Sequence, residues 1–249
     1  MRLIRLFTAL VGLGVVVVAQ PCVACSNATL NGNYGFVLSG VNNTPMLVLT
    51  ATVGQITANG SGGLTGSETV SNNGVITSNV SITGSYALNK NCTGTATITP
   101  AGGSASNYFL VVIGTQIQMA ETDAGFTESG YALAQGKATC SDAGIKGTVG
   151  FHGIGWKVSS SLTPTAFAGQ VKADGLGNLS GTQEGSLGGV VYSTSLSGTY
   201  SVDANCTGTI TLTGSGITTH SNFVLVNAGM STLAIQTDAG TITTSFGRK

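Results

Sequence analysis

Few side chains in this chain of 249 residues could act as acids, bases or nucleophiles, because only 7% of its residues are charged and only His152 and His220 are histidines. Imidazole is the commonest general acid–base group, so these two are the first candidates for chemistry. The sequence contains no nucleophile elbow, dinucleotide fingerprint or phosphate-binding loop. We therefore expect no catalytic residue and interpret both histidines as surface or packed side chains.

The carboxylates form two further patterns. Asp123 and Asp238 each lie in a Thr-Asp-Ala-Gly sequence, which is typical of a hairpin turn because Asp bonds nearby backbone N–H groups and Gly accepts positive φ. Glu68 and Glu184 would make the acid pair of a hydrolase only if they faced each other across a cleft, which the sequence does not indicate. Cysteine and histidine spacing completes no zinc set, so we expect no metal and no cofactor.

The same sequence pattern occurs twice, about 115 residues apart. The matching segments include Tyr86 to Gly94 with Tyr200 to Gly208, and Phe109 to Val112 with Phe223 to Val226. A period of this length indicates duplicated domains rather than a solenoid. We predict two units, residues 25–135 and 140–249, that fold independently.

The duplication also predicts the disulfides. Of five cysteines, Cys22 is expected to leave with a signal peptide, and each repeat keeps two. Four cysteines allow three connectivities, and the repeat selects the one in which each unit closes its own bridge. We predict Cys25–Cys92 and Cys140–Cys206, which need an oxidising compartment.

Residues 1–24 are typical of a secretory signal peptide. Arg2 and Arg5 form a positive n-region, and Leu6 to Ala19 is an apolar run that is short for a membrane span. We expect a secreted or extracytoplasmic protein, in the periplasm or at the cell surface, with no transmembrane span in the mature chain. A lipid anchor on Cys25 is the less favoured alternative, because the repeat assigns this residue to a disulfide.

Strict alternation of side chains predicts β-strands. Between Tyr192 and Val202 every second residue is apolar, Thr or Gly, and those between are Ser or Thr, which indicates one dry and one wet face. Val80 to Leu88 shows the same alternation. We count about eight strands per unit, and predict an all-β protein of two tandem antiparallel meander barrels. Two-sheet sandwiches are the alternative.

Two phrases, Gly198 to Thr209 and Phe223 to Val226 followed by Ile235 to Gly240, resemble strand motifs of secreted bacterial proteins of unknown function. Those proteins look like small lipocalin-like or allene-oxide-cyclase-like barrels. The resemblance covers both repeats and carries no catalytic signature. It implies a barrel with room for an apolar ligand, although fold alone does not determine function.

Three functions of different classes remain open. The first is a secreted non-enzymatic barrel that binds a small apolar ligand; its candidate interior residues are Tyr86, Leu88, Ile98, Tyr200, Val202 and Leu212. The second is a structural or adhesive cell-surface protein, whose partner would be a surface polymer, and the third is a barrel-type cyclase or isomerase. An apolar cavity of roughly 300 Å³ or more would favour the first, and a filled barrel the second. The balanced charge argues against nucleic acid as a partner, and the oligomeric state stays open.

Overall fold

The computed structural model describes residues 24–43, 46–137 and 139–249, so the predicted signal peptide lies almost wholly outside the described residues. The described chain forms two closed antiparallel barrels of eight strands each. In each barrel the first and last strands pair with one another, which excludes the sandwich alternative and confirms the predicted fold class. Among the described residues, no helix is long and apolar enough to cross a membrane.

Barrel 1 is an up-and-down meander that begins after a 3₁₀ turn at Asn27–Thr29. Its strands are β1 (Asn31–Asn42), β2 (Val48–Asn59), β3 (Gly63–Asn72), β4 (Val75–Leu88), β5 (Thr93–Pro100), β6 (Ser106–Ile113), β7 (Gln116–Glu121) and β8 (Phe126–Ala134). The residue types at the strand ends agree with these boundaries, as the turn between β3 and β4 shows. Asn73 and Gly74 both have positive φ, as the two-residue hairpin between β3 and β4 requires.

Barrel 2 repeats this order after a short helix, α1 (Asp142–Ile145). Its strands are β9 (Gly147–Val158), β10 (Leu162–Ala173), β11 (Asn178–Leu187), β12 (Val190–Val202), β13 (Thr207–Gly214), β14 (Ile217–Val226), β15 (Ser231–Gln236) and β16 (Thr241–Arg248). The strand predicted from the alternation between Tyr192 and Val202 is β12.

The two ends of each barrel differ. We call the end that holds the disulfide the disulfide end, and the opposite end, which carries the β1–β2, β3–β4, β5–β6 and β7–β8 hairpins and their counterparts, the distal end. Both predicted bridges are confirmed: the Cα atoms are 5.0 Å apart in Cys25–Cys92 and 4.7 Å apart in Cys140–Cys206. Each bridge ties the segment before the first strand to the turn between the fourth and fifth strands.

The barrels lie side by side and point the same way. Near the disulfide ends, the backbone N–H of Ala228 donates to the carbonyl of Gln135 at 2.7 Å. At the distal ends, the N–H of Gly240 donates to the carbonyl of Gly74 at 2.8 Å. A Cβ atom on Gly74 would lie 2.7 Å from the backbone of Gly240, so this approach requires glycine.

A third apolar cluster joins the two barrels, in addition to the core inside each one. Its buried members are Ala51, Val53 and Leu133 of barrel 1 and Val224, Val226, Leu233, Ile235 and Ile242 of barrel 2. A buried amide pair lies beside it: Gln55 Nε2 donates to Gln135 Oε1 at 2.6 Å, and Gln135 Nε2 donates to the carbonyl of Leu225 at 3.1 Å. The outer faces of several strands thus form a core of their own, which the sequence-based expectation of two self-sufficient units did not include.

The sequence match between Phe109 and Phe223 is shifted by one residue in the structure. Gly94 pairs with Leu110 in barrel 1, and its counterpart Gly208 pairs with Phe223 in barrel 2. Because a shift of one residue exchanges the faces of a strand, Phe109 is 45% exposed whereas Phe223 is 1% exposed.

The joining cluster makes a prediction for the isolated second unit. Residues 140–249 alone should self-associate, because Val226, Leu233 and Ile235, all 0% exposed in the full chain, would face water. Size-exclusion chromatography with light scattering, with the full chain as reference, tests this. An isolated unit that is monomeric and melts at the temperature of the full chain would show that the cluster contributes little.

Candidate functional site

The structure places the six residues considered for ligand binding inside the two barrels. Tyr86, Ile98 and Tyr200 are each 5% exposed. The other three are partly buried and pack against the same interior clusters; they are Leu88, Val202 and Leu212. All six therefore contribute to packed cores.

The two tyrosines hold the segments that close the disulfide ends. Tyr86 Oη donates to the carbonyl of Leu30 at 2.7 Å, and Tyr200 Oη donates to the carbonyl of Asp142 at 2.9 Å. Two residues after each tyrosine, a backbone N–H donates to a side-chain oxygen of the same segment: Leu88 to Asn27, and Val202 to Asp142, both at 2.8 Å. These bonds explain why the tyrosines and the Cys-Ser-Asn/Asp sequences recur together.

The apolar half of barrel 1 is filled by side chains. The space that remains between them is about 10 Å³, which is at the lower limit for one water molecule. A Cβ atom on Gly54 would lie 2.6 Å from the ring of Phe36, so this glycine makes room for a ring that fills the barrel. In barrel 2 the rings of Phe151 and Phe167 pack edge to face, with centroids 6.2 Å apart.

The distal half of barrel 1 is polar inside. Glu68 on β3, Glu121 on β7 and Glu128 on β8 occupy inward positions there. Thr50 Oγ1 donates to Glu128 Oε1 at 3.2 Å, and Tyr108 Oη donates to Glu128 Oε2 at 3.4 Å. The Oε1 atom of Glu121 is buried and accepts no hydrogen bond from the described residues.

Burial and mutual repulsion favour the protonated form of these carboxyls. Burial, with a smaller contribution from the charge of Glu128, raises the pKa of Glu68 to about 7. Burial and the charge of Glu121 raise the pKa of Glu128 to about 7, although hydrogen bonds from Thr50 and Tyr108 oppose the rise. Burial also raises the pKa of Glu121. Glu68 and Glu128 therefore change protonation state near neutral pH.

Barrel 2 carries neutral side chains at the matching positions, 115 residues further on: Gln183, Gln236 and Thr243. Gln183 Nε2 donates to Tyr192 Oη at 2.8 Å. Glu184, which falls one residue after the position that matches Glu68, is exposed, because its neighbour Gln183 takes the inward position. The structure therefore does not bring Glu68 and Glu184 together, and the acidic interior is confined to barrel 1.

The recurring aspartates organise turns at the distal ends. Asp123 accepts hydrogen bonds from the backbone N–H and the side-chain Nδ2 of Asn107, at 2.7 and 2.9 Å. Asp238 accepts from the backbone N–H of His220 at 2.8 Å, and its other oxygen lies 2.7 Å from His220 Nδ1. Hydrogen bonds from Asn107 lower the pKa of Asp123. His220 of β14 thus takes the place of Asn107 of β6 as the strand residue that binds the turn aspartate. The ring of His152 packs at a tilt against Phe246, with ring centroids 5.9 Å apart.

A groove of about 190 Å³ runs between the two barrels. Its walls include two cross-strand pairs from each barrel: Val37 with Tyr131 and Ser39 with Ser129 in barrel 1, and His152 with Phe246 and Ile154 with Thr244 in barrel 2. These pairs occupy the same positions of the two repeats. The sequence did not predict the groove, because the residue types on the outer face of a barrel strand do not indicate which surface of the other barrel lies next to them.

Within the described part of the chain, no group of three or more His, Cys, Asp or Glu side chains could hold a metal ion. No model of a known protein family matches the chain, and no curated protein is significantly similar to it in sequence. The architecture of two eight-stranded antiparallel barrels is consistent with a lipocalin-like barrel fold.

The raised pKa of Glu68 predicts that the protein becomes less stable as pH rises. The pKa of Glu68 is 4.5 without burial and about 7 in the fold. Below the lower value both states are protonated; between the two values the native state binds more protons, so stability is lost as pH rises through this window. We expect Glu68→Gln, which installs the side chain of barrel 2, to leave stability unchanged at pH 4 and to raise it by roughly 1–3 kcal/mol at pH 8.

Chemical denaturation at both pH values measures this effect, and Glu184→Gln, on an exposed residue, is the matched control. Equal responses of the two variants at pH 8, or a destabilised Glu68→Gln protein, would contradict the burial of a carboxyl with a raised pKa.

Proposed function

We propose that the protein is an extracytoplasmic, non-enzymatic binding module of the adhesive type, and that it holds a neutral surface polymer such as a polysaccharide in the groove between its barrels. Secretion through the N-terminal segment, and kinship with secreted bacterial lipocalin-like or allene-oxide-cyclase-like barrels, are parts of the same proposal. The two disulfides support an oxidising compartment outside the cytoplasm.

The observation that carries the proposal is the difference in free space between the groove and the interior. The groove offers about 190 Å³, whereas the apolar half of barrel 1 keeps about 10 Å³. Binding sites favour the boundaries between domains. A small apolar ligand inside barrel 1 would have to displace side chains such as Tyr86, so the groove is the better candidate.

The lining of the groove indicates the class of ligand. None of its lining residues is Lys, Arg, Asp or Glu, which suits an uncharged partner. Tyr131 and Phe246 offer flat apolar surface, on which the C–H faces of sugar rings can pack. Ser39, Ser129 and Thr244 add hydroxyl groups that can exchange hydrogen bonds with a polyol. Because the groove is open rather than enclosed, a chain can lie along it.

Blocking the groove tests the proposal. Ser39 is exposed and lies in the wall of the groove, so Ser39→Trp should fill it without disturbing a core. We expect affinity electrophoresis in gels containing neutral α- and β-glucans to show retardation of the wild type, and a loss of roughly tenfold or more in affinity for Ser39→Trp, as expected for a sterically blocked site. Ser197→Trp, on the outward face of β12, is the matched control.

The proposal fails if none of the polysaccharides retards the wild type, or if Ser39→Trp binds as well as the control variant. The melting temperatures of both variants should equal that of the wild type, which separates a blocked groove from a misfolded protein.

A further inference from the structure

Exposed apolar side chains gather at the distal end. Of the fifteen large apolar side chains that are exposed among the described residues, nine lie in a distal hairpin turn or within two residues of one. Examples are Val75 at 69%, Val190 at 72%, Val191 at 79% and Ile217 at 68% exposed. Exposed apolar side chains that gather at one end of a molecule, rather than being scattered over its surface, point to an interaction site there.

The basic residues are concentrated at the opposite end. Of the seven Lys and Arg residues that the structure describes, six lie near the disulfide ends: Lys90, Lys137, Lys146, Lys172, Arg248 and Lys249. Lys157 is the exception. The acids in the distal turns, Asp123 and Asp238, are engaged by Asn107 and His220. The molecule is therefore amphipathic along the barrel axes.

The contact between Gly74 and Gly240 makes the two apolar ends a single surface. It joins the β3–β4 hairpin of barrel 1 to the β15–β16 hairpin of barrel 2 at their distal ends. The hairpin tips of both barrels therefore approach a surface together, and each additional tip that inserts adds to the affinity of the others.

We propose that the distal end docks on the interface of a lipid bilayer whose headgroups are zwitterionic and carry no net charge. The apolar side chains stand on separate turns, and turn residues such as Asn73, Gly188 and Ser215 lie between them. A fluid bilayer can take up each tip independently, whereas a protein partner needs a continuous complementary surface. Among the described residues, Lys157 is the only basic residue near the distal end, so electrostatic attraction to anionic lipid would be weak. The site is separate from the groove.

Vesicle binding by the full mature chain tests this proposal. Co-sedimentation with phosphatidylcholine vesicles should show binding that neither 0.5 M salt nor added phosphatidylglycerol changes. The double variant Val190→Ser/Val191→Ser should partition roughly tenfold or more weakly, because burial of each valine in the bilayer interface is lost. The matched control is Ile113→Ser/Leu176→Ser, at residues that are 64% and 83% exposed near the disulfide ends.

Three results of the vesicle experiment would overturn the proposal: no binding of the wild type to phosphatidylcholine, equal losses in the two double variants, or binding that requires anionic lipid. Sedimentation velocity without vesicles supplies a further test. A wild-type dimer that only the distal variant dissociates would assign this end to a second copy of the chain and would also overturn the proposal. Because all four substituted residues are exposed, both variants should keep the wild-type melting temperature.

Discussion

The width of an eight-stranded barrel is the constraint on which this structure depends. A closed sheet of eight strands leaves an interior that side chains alone can fill, and here aromatic rings fill it. Phe36 packs over Gly54, and Phe151 packs against Phe167. The disulfide ends are then closed by segments that Tyr86 and Tyr200 hold in place. The binding sites that we propose consequently lie on the outer surfaces and at the distal ends.

The joint between the barrels uses outer surface that a single barrel would expose to water. Outward residues of β2 and β8 pack on those of β14, β15 and β16, and the groove is the open space that remains beside this contact.

The two duplicated units share one fold but differ in the side chains inside it. Barrel 1 buries Glu68 where barrel 2 has Gln183, and the raised pKa of that glutamate shows that the acidic interior lowers stability at neutral pH. Among the described residues, no Lys or Arg side chain lies inside barrel 1 to offset the negative charge of this glutamate.

Much of the fold could be predicted from the sequence because barrel strands have a period of two. That period located β12, and the duplication paired the cysteines. The contacts between barrels could not be predicted so directly, although the unbroken apolar run from Phe223 to Val226 is typical of a strand that is buried on both faces. The inward glutamates could have been found by extending the alternation through Met119 to Glu121. The groove had no signal in the sequence, because it forms between surfaces that are distant along the chain.

The central claim, that the barrels are filled and that recognition occurs outside them, is tested most directly at Tyr200. The measurement is chemical denaturation of Tyr200→Ala together with titration of the wild type and the variant with an apolar fluorescent dye; Tyr200→Phe, which keeps the ring, is the control. Because Tyr200 is 5% exposed, a filled barrel predicts a loss of roughly 3–5 kcal/mol for the alanine variant and no dye binding by the wild type that the alanine substitution removes. A small loss of stability, with dye that the wild type binds and the alanine variant does not, would contradict the account.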